Sequence, residues 1–196
     1  DWEAQWIGPG FAEDTINRPS PYFRKNFSTN KSIKSATLYI TAHGMYEAYL
    51  NGERVGNAYY TPGWTSYHKR LQYQVYDVTD MILQNNAVGV ILASGWYRGS
   101  VGGGNKVNNY GRDVSLLLQI EIVYDDGTVD RVVSDPTWKS STGKITYSEI
   151  YHGEKHDLRL EKVGWMLPGY DDTQWFGVTV ADYGMANLTG TVSEPV

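Results

Sequence analysis

A chain of 196 residues with 41% hydrophobic content can bury one substantial core, and nothing in its composition points to disorder. Its formal charge of −5, without any basic run, argues against nucleic acid, because phosphate binding needs clustered Lys and Arg. No apolar stretch approaches the ~20 residues that span a bilayer, and the absence of cysteine excludes disulfides and thiolate zinc sites while leaving the compartment open, with a secreted or periplasmic location favoured over a cytoplasmic one.

The N-terminus, Asp1-Trp2-Glu3-Ala4-Gln5-Trp6, has neither an initiator Met nor the apolar core of a signal peptide, and the chain reads as an excised piece or a mature fragment. Residues 1–30 are expected as an arm leading into a single β-sandwich domain over 1–185. Strand signals then recur about every ten residues with turn residues between them, and amphipathic helices are missing, which favours an all-β sandwich of jelly-roll type. Leu38, Ile40 and Ala42 alternate with Tyr39 and Thr41, His43-Gly44 interrupts, and Tyr46, Ala48 and Leu50 resume. Asn51-Gly52 supplies the two left-handed residues of a type I′ hairpin turn that returns through Glu53-Arg54-Val55.

After a loop from Tyr59 to Lys69, Leu71 to Val78 alternates again, and Thr79 or Asp80 is placed to cap a single helical turn through Met81-Ile82-Leu83. Asn85-Asn86 reads as a turn into an apolar strand from Ala87 to Ala93. The longest hairpin joins Val114–Tyr124 to Thr128–Val133 through Asp125-Asp126-Gly127, with Leu116, Leu118, Ile120 and Ile122 on its core face. Val178 to Ala181 supplies a last strand, and 186–196 reads as a linker toward a further domain.

The motifs in order are Trp2-Glu3-Ala4-Gln5-Trp6-Ile7, Tyr49-Leu50-Asn51-Gly52, Pro62-Gly63-Trp64-Thr65-Ser66-Tyr67, Tyr76-Asp77-Val78-Thr79-Asp80, Gly95-Trp96-Tyr97-Arg98-Gly99 and Ile150-Tyr151-His152-Gly153-Glu154. Together they resemble the N-terminal accessory β-domain of bacterial α-L-rhamnosidases of glycoside hydrolase family 78, which includes calcium-assisted L-rhamnose-binding modules. The resemblance implies a non-catalytic carbohydrate-binding domain attached to a separate catalytic barrel, with a rhamnose-containing glycan and the other domains of the parent enzyme as partners, and calcium as cofactor. His152 and His156 depart from it, since the family pattern more usually carries Asp and Tyr there.

The surplus of rings with a polar handle, 16 Tyr and 7 Trp against 4 Phe, suits both half-buried sheet faces and sugar stacking. Trp96, Tyr97 and Arg98 sit at a strand end, where Trp64 is expected to join them in stacking and Arg98 to donate to sugar hydroxyls. On the other reading Trp96 plugs the sandwich end and Arg98 pairs with a carboxylate, Glu154 or Asp157 being the obvious partners. Glu154 and Asp157 are also candidates for hydroxyl recognition, and His152, Glu154 and His156 share a face of an extended segment. For calcium, an oxygen-loving ion, the candidates are Asn57, Asn105, Asn108, Asn109 and Asp113 with the backbone of 102–104. A scaffold role, the sandwich packing on the barrel without holding sugar, is the alternative function. A catalytic role of its own is the third, but no Gly-x-Ser-x-Gly, phosphate loop or His-Glu-x-x-His is present.

Overall fold

Strand alternation sets the architecture. In the computed structural model, which describes residues 1–102 and 106–191, one sheet is built on β3 (Ile33–His43) and β8 (Ser115–Tyr124), paired antiparallel from Ile33 to His43. Outside β8 lie β1 (Trp6–Pro9) and then β13 (Val178–Ala181), with β9 (Val129–Val133) also on β8. Outside β3 lie β6 (Leu71–Asp77) and then β14 (Leu188–Gly190), which runs parallel to β6. The second sheet has the order β10 (Lys139–Thr142), β2 (Pro21–Ser28), β7 (Asn85–Ala93), β4 (Met45–Leu50), β5 (Glu53–Arg54). A separate hairpin pairs β11 (Ile145–Glu149) with β12 (Gly153–His156).

The core fills the space between the sheets. Leu38, Ile40, Leu116, Leu118 and Ile120 project from the first sheet, and Phe23, Leu50, Val88, Val90 and Leu92 meet them from the second. Burying each such side chain contributes about 1.5–3 kcal/mol. The other face of β8 is buried as well, because Leu117 packs with Ala4, Trp6, Tyr67, Leu71 and Tyr97 in a second cluster. β8 is therefore covered on both sides, and its near-continuous apolar run has a structural cause.

The interruption at His43-Gly44 is where the chain leaves the first sheet for the second. Gly44 has φ 131°, and a Cβ there would lie 2.4 Å from the Ala93 carbonyl oxygen, so only glycine fits the crossing. Asn51 and Gly52 have φ 55° and 87°, as the type I′ turn requires.

Four expectations are corrected. Residues 1–30 are not an arm, since β1 and β2 are integral strands of the two sheets. The stretch 186–196 is not all linker, since Leu188–Gly190 forms β14 and Thr191 N–H donates to the Tyr73 carbonyl at 3.0 Å; its last five residues, 192–196, lie outside the described ones. Asn85-Asn86 opens β7 rather than turning into it, because Asn86 Nδ2 and Oδ1 close on the backbone of Leu83 while its own backbone joins β2. The turn at Thr79–Met81 is a 3-10 turn without a Thr79 or Asp80 side-chain cap; Asp77 Oδ1 instead accepts from Thr79 N–H and Oγ1.

Candidate functional site

β7 ends at Ala93, and after Ser94 the residue Gly95, at φ 51°, swings the chain into one helical turn, α1 (Gly95–Arg98). Successive residues of such a turn point about 100° apart, so neighbours face different surroundings. Trp96 emerges half-buried at the surface, whereas Tyr97 and Arg98 turn inward.

Trp96 stacks on Trp64, with ring centroids 5.9 Å apart and planes 5° from parallel, and the tilted ring of Tyr60 stands 6.1 Å from it. Trp64 itself is 50% exposed. The loop that carries it is anchored at several points. Tyr46 N–H donates to the Thr61 carbonyl at 3.0 Å, the Tyr67 hydroxyl to the Gly63 carbonyl at 3.0 Å, and the Trp64 indole to the Tyr110 hydroxyl at 3.2 Å. Together these rings wall a groove of about 640 Å³ that continues past Tyr73 and Tyr76 to Thr191 beside β14. Tyr59 and Tyr60, both well exposed, form its rim, and the Arg54 guanidinium lies 4.7 Å over the Tyr59 ring. Exposed rings gathered in one groove of a water-facing surface make it the candidate interaction site.

Tyr97 belongs to the interior. Its ring stacks on His43, 4.7 Å away, and His43 stacks in turn on Trp6 at 4.2 Å. His43 Nδ1 shares a hydrogen bond with Ser115 Oγ at 2.9 Å. Burial, with a small push from His68, lowers the imidazole to about 4, and burial raises the Tyr97 phenol to about 12. Arg98 is 1% exposed and pairs with Glu13, whose carboxylate lies 2.6 Å from Nη1. Burial lowers the guanidinium pKa, and Glu13 opposes the shift.

The model of the "Alpha-L-rhamnosidase N-terminal domain" family matches residues 31–196. The chain belongs to that family. An α-L-rhamnosidase of Alteromonas sp. is 38% identical over the whole of this chain, which spans 22% of that relative. The native α-L-rhamnosidase structure of Aspergillus terreus superimposes with a TM-score of 0.93 and 42% identity, over 96% of this chain and 22% of that one. The Streptomyces avermitilis α-L-rhamnosidase, solved complexed with L-rhamnose, gives 0.81 and 43% over 84% of this chain and 16% of its own. The chain thus spans under a quarter of each of these rhamnosidases.

In this rhamnosidase N-terminal domain the expected site residues do not converge. Trp64 and Trp96 meet in the groove. Tyr97 and Arg98 are buried away from it, and the partner of Arg98 is Glu13 rather than Glu154 or Asp157. Glu154 sits on β12, accepting from Ser148 Oγ at 3.2 Å and facing His156 Nε2 at 2.8 Å; Asp157 accepts from Arg159 N–H and guanidinium. His152 instead meets the Tyr147 hydroxyl at 3.0 Å. Hydrogen bonds within the hairpin and the turn after it therefore engage both carboxylates.

A calcium ion takes about six to eight oxygen ligands. Asn57 is exposed next to Ala58 and Tyr59 of the groove, Asn109 donates to the Lys106 carbonyl, and Asp113 lines a different pocket. Asn108 N–H donates to the Arg98 carbonyl at 2.9 Å, and its buried Oδ1 has no partner among the described residues. Among the described residues, one orphan amide oxygen and one separate carboxylate do not make up such a set. Asn105 and 103–104 lie outside the described residues, and among the described residues no group of three His, Asp or Glu gathers.

The sequence reading missed Tyr59, Tyr60, Tyr73 and Glu13. A signal for the first two was available, since Tyr59-Tyr60 stands just before Pro62-Gly63-Trp64. For Glu13, 85 residues from its partner, there was none.

Proposed function

We propose that this domain is a non-catalytic carbohydrate-binding module that takes L-rhamnose, or a rhamnose-bearing glycan, in the aromatic groove. The observation that carries the reading is the half-exposed parallel pair Trp64 and Trp96 on the groove wall. A ring face packs the C–H face of a pyranose, and a deoxy sugar adds a methyl group that gains from apolar burial. Gln72 on the lining of the groove offers its side-chain amide to sugar hydroxyls. The Streptomyces complex with L-rhamnose makes that sugar the one to test first. One small sugar offers little area against the entropy of association, so affinity is expected in the range of about 0.1–1 mM.

Calorimetric titration of L-rhamnose into the chain, with calcium and then with chelator, tests the reading. Saturable heat that Trp96→Ala weakens at least about ten-fold supports it. Heat that disappears with chelator would add calcium to the site. Absence of heat, with the Trp64 and Trp96 indole resonances unmoved, would leave the scaffold reading, in which the groove is covered by another part of the parent enzyme.

A further inference from the structure

A second pocket lies on the other side of α1, and its chemistry differs from that of the groove. It encloses about 490 Å³ between the segment Gly8–Thr15, Arg98, the start of β8 and Tyr183. We propose that this pocket binds a neutral, fully hydroxylated pyranose, independently of the aromatic groove.

The charges carry the argument. Glu13 meets Arg98 end-on: both carboxylate oxygens, at 2.6 and 2.9 Å, accept from Nη1 alone, while Nε donates to Ser94 Oγ at 3.0 Å. Arg98 Nη2 is left buried and without a partner among the described residues. A fork-on-fork pair would have engaged two nitrogens. A charged donor left unmade inside a protein is costly, and a modest shift of Glu13, on its mostly exposed segment, gives that donor to a ligand oxygen.

At the rim stand Arg112 and Asp113, both exposed, and neither forms an ion pair among the described residues. Two guanidinium groups and two carboxylates thus face one cavity, and their charges cancel. An anion or a cation would leave half of this set unmatched. Vicinal hydroxyls, each a donor and an acceptor, match a carboxylate and a guanidinium side by side. The half-buried rings of Phe11 and Tyr183 on the same lining supply the apolar surface that a pyranose C–H face needs. The volume falls in the range of small-molecule sites, roughly 300–1,000 Å³. A sugar rich in hydroxyls suits this charged lining, as a deoxy sugar suits the groove.

The test is amide and indole NMR of the chain titrated with D-galactose, D-glucose and D-mannose, with D-glucuronate and zwitterionic L-alanine as alternatives. The expected result is saturable shifts of Arg112, Asp113 and Tyr183 with at least one hexose, at about millimolar concentration. Those shifts should persist in Trp96→Ala and weaken at least about ten-fold in the double variant Arg112→Ala/Asp113→Ala. Both residues are exposed, so that variant keeps its fold, which its amide spectrum reports. Three results would each overturn the proposal: hexose shifts confined to Trp64 and Trp96, no shifts with any hexose, or tighter binding of glucuronate or alanine. Rhamnose binding in the groove is read separately from the two indole resonances.

Discussion

Protonation of His43 should destabilise the folded domain. The imidazole is sandwiched between Trp6 and Tyr97, with Tyr183 edge-on at 4.6 Å and Ser115 on Nδ1, and burial lowers its pKa from 6.5 to about 4. The unfolded chain therefore binds a proton that the folded chain refuses between those two values. Stability is fully present above pH 6.5 and falls as the pH drops toward 4. Linkage with these two pKa values gives a loss of about 2 kcal/mol between pH ~7.5 and pH ~5, roughly a seventh to two fifths of a typical domain's stability. Carboxylates also titrate near the lower end, so the measurement is a difference. Urea unfolding of the wild type and of His43→Gln is compared at both pH values. The wild type should lose about 2 kcal/mol more than the variant over that interval. Equal losses would refute the reasoning, because the shift would then not arise from desolvation of this ring.

Gly44→Ala should lower stability by roughly 2–4 kcal/mol, since it combines a φ of 131° with a Cβ 2.4 Å from the Ala93 carbonyl oxygen; thermal unfolding reports it as a large drop in Tm. Glu13→Ala should cost about 3 kcal/mol, because it strands the Arg98 charge in the interior, and Glu13→Gln should cost less by keeping one acceptor; denaturant midpoints distinguish the two.

Much of the fold was legible because its signals are local. The alternation of Leu116, Leu118, Ile120 and Ile122 reports a core face directly, and Asn51-Gly52 specifies its turn without help from distant residues. The edges were not legible. Leu188-Thr189-Gly190 carries little apolar material, and it is a strand because β6 offers it an unpaired edge, which no pattern inside 186–196 could announce. The site divides in the same way. Trp64 and Trp96 could be paired in thought as exposed rings flanked by glycine. The inward turn of Tyr97 and Arg98 depends on the short helix after Gly95, and the choice of Glu13 over Glu154 depends on where β1 delivers the chain.

The position of β14 bears on how this molecule is cut for study. A boundary drawn near Met185, where the composition thins out, would strip the last strand from the first sheet. The outer backbone groups of Leu71, Gln72 and Tyr73 would lose their parallel partner, and the N–H donor that Thr191 gives the Tyr73 carbonyl would go as well. A bare strand edge invites pairing with a second chain. The same cut would remove Gly190 and Thr191 from the lining of the groove. A shortened protein that aggregates and ignores sugar would be reporting the missing strand, not the chemistry of the rings.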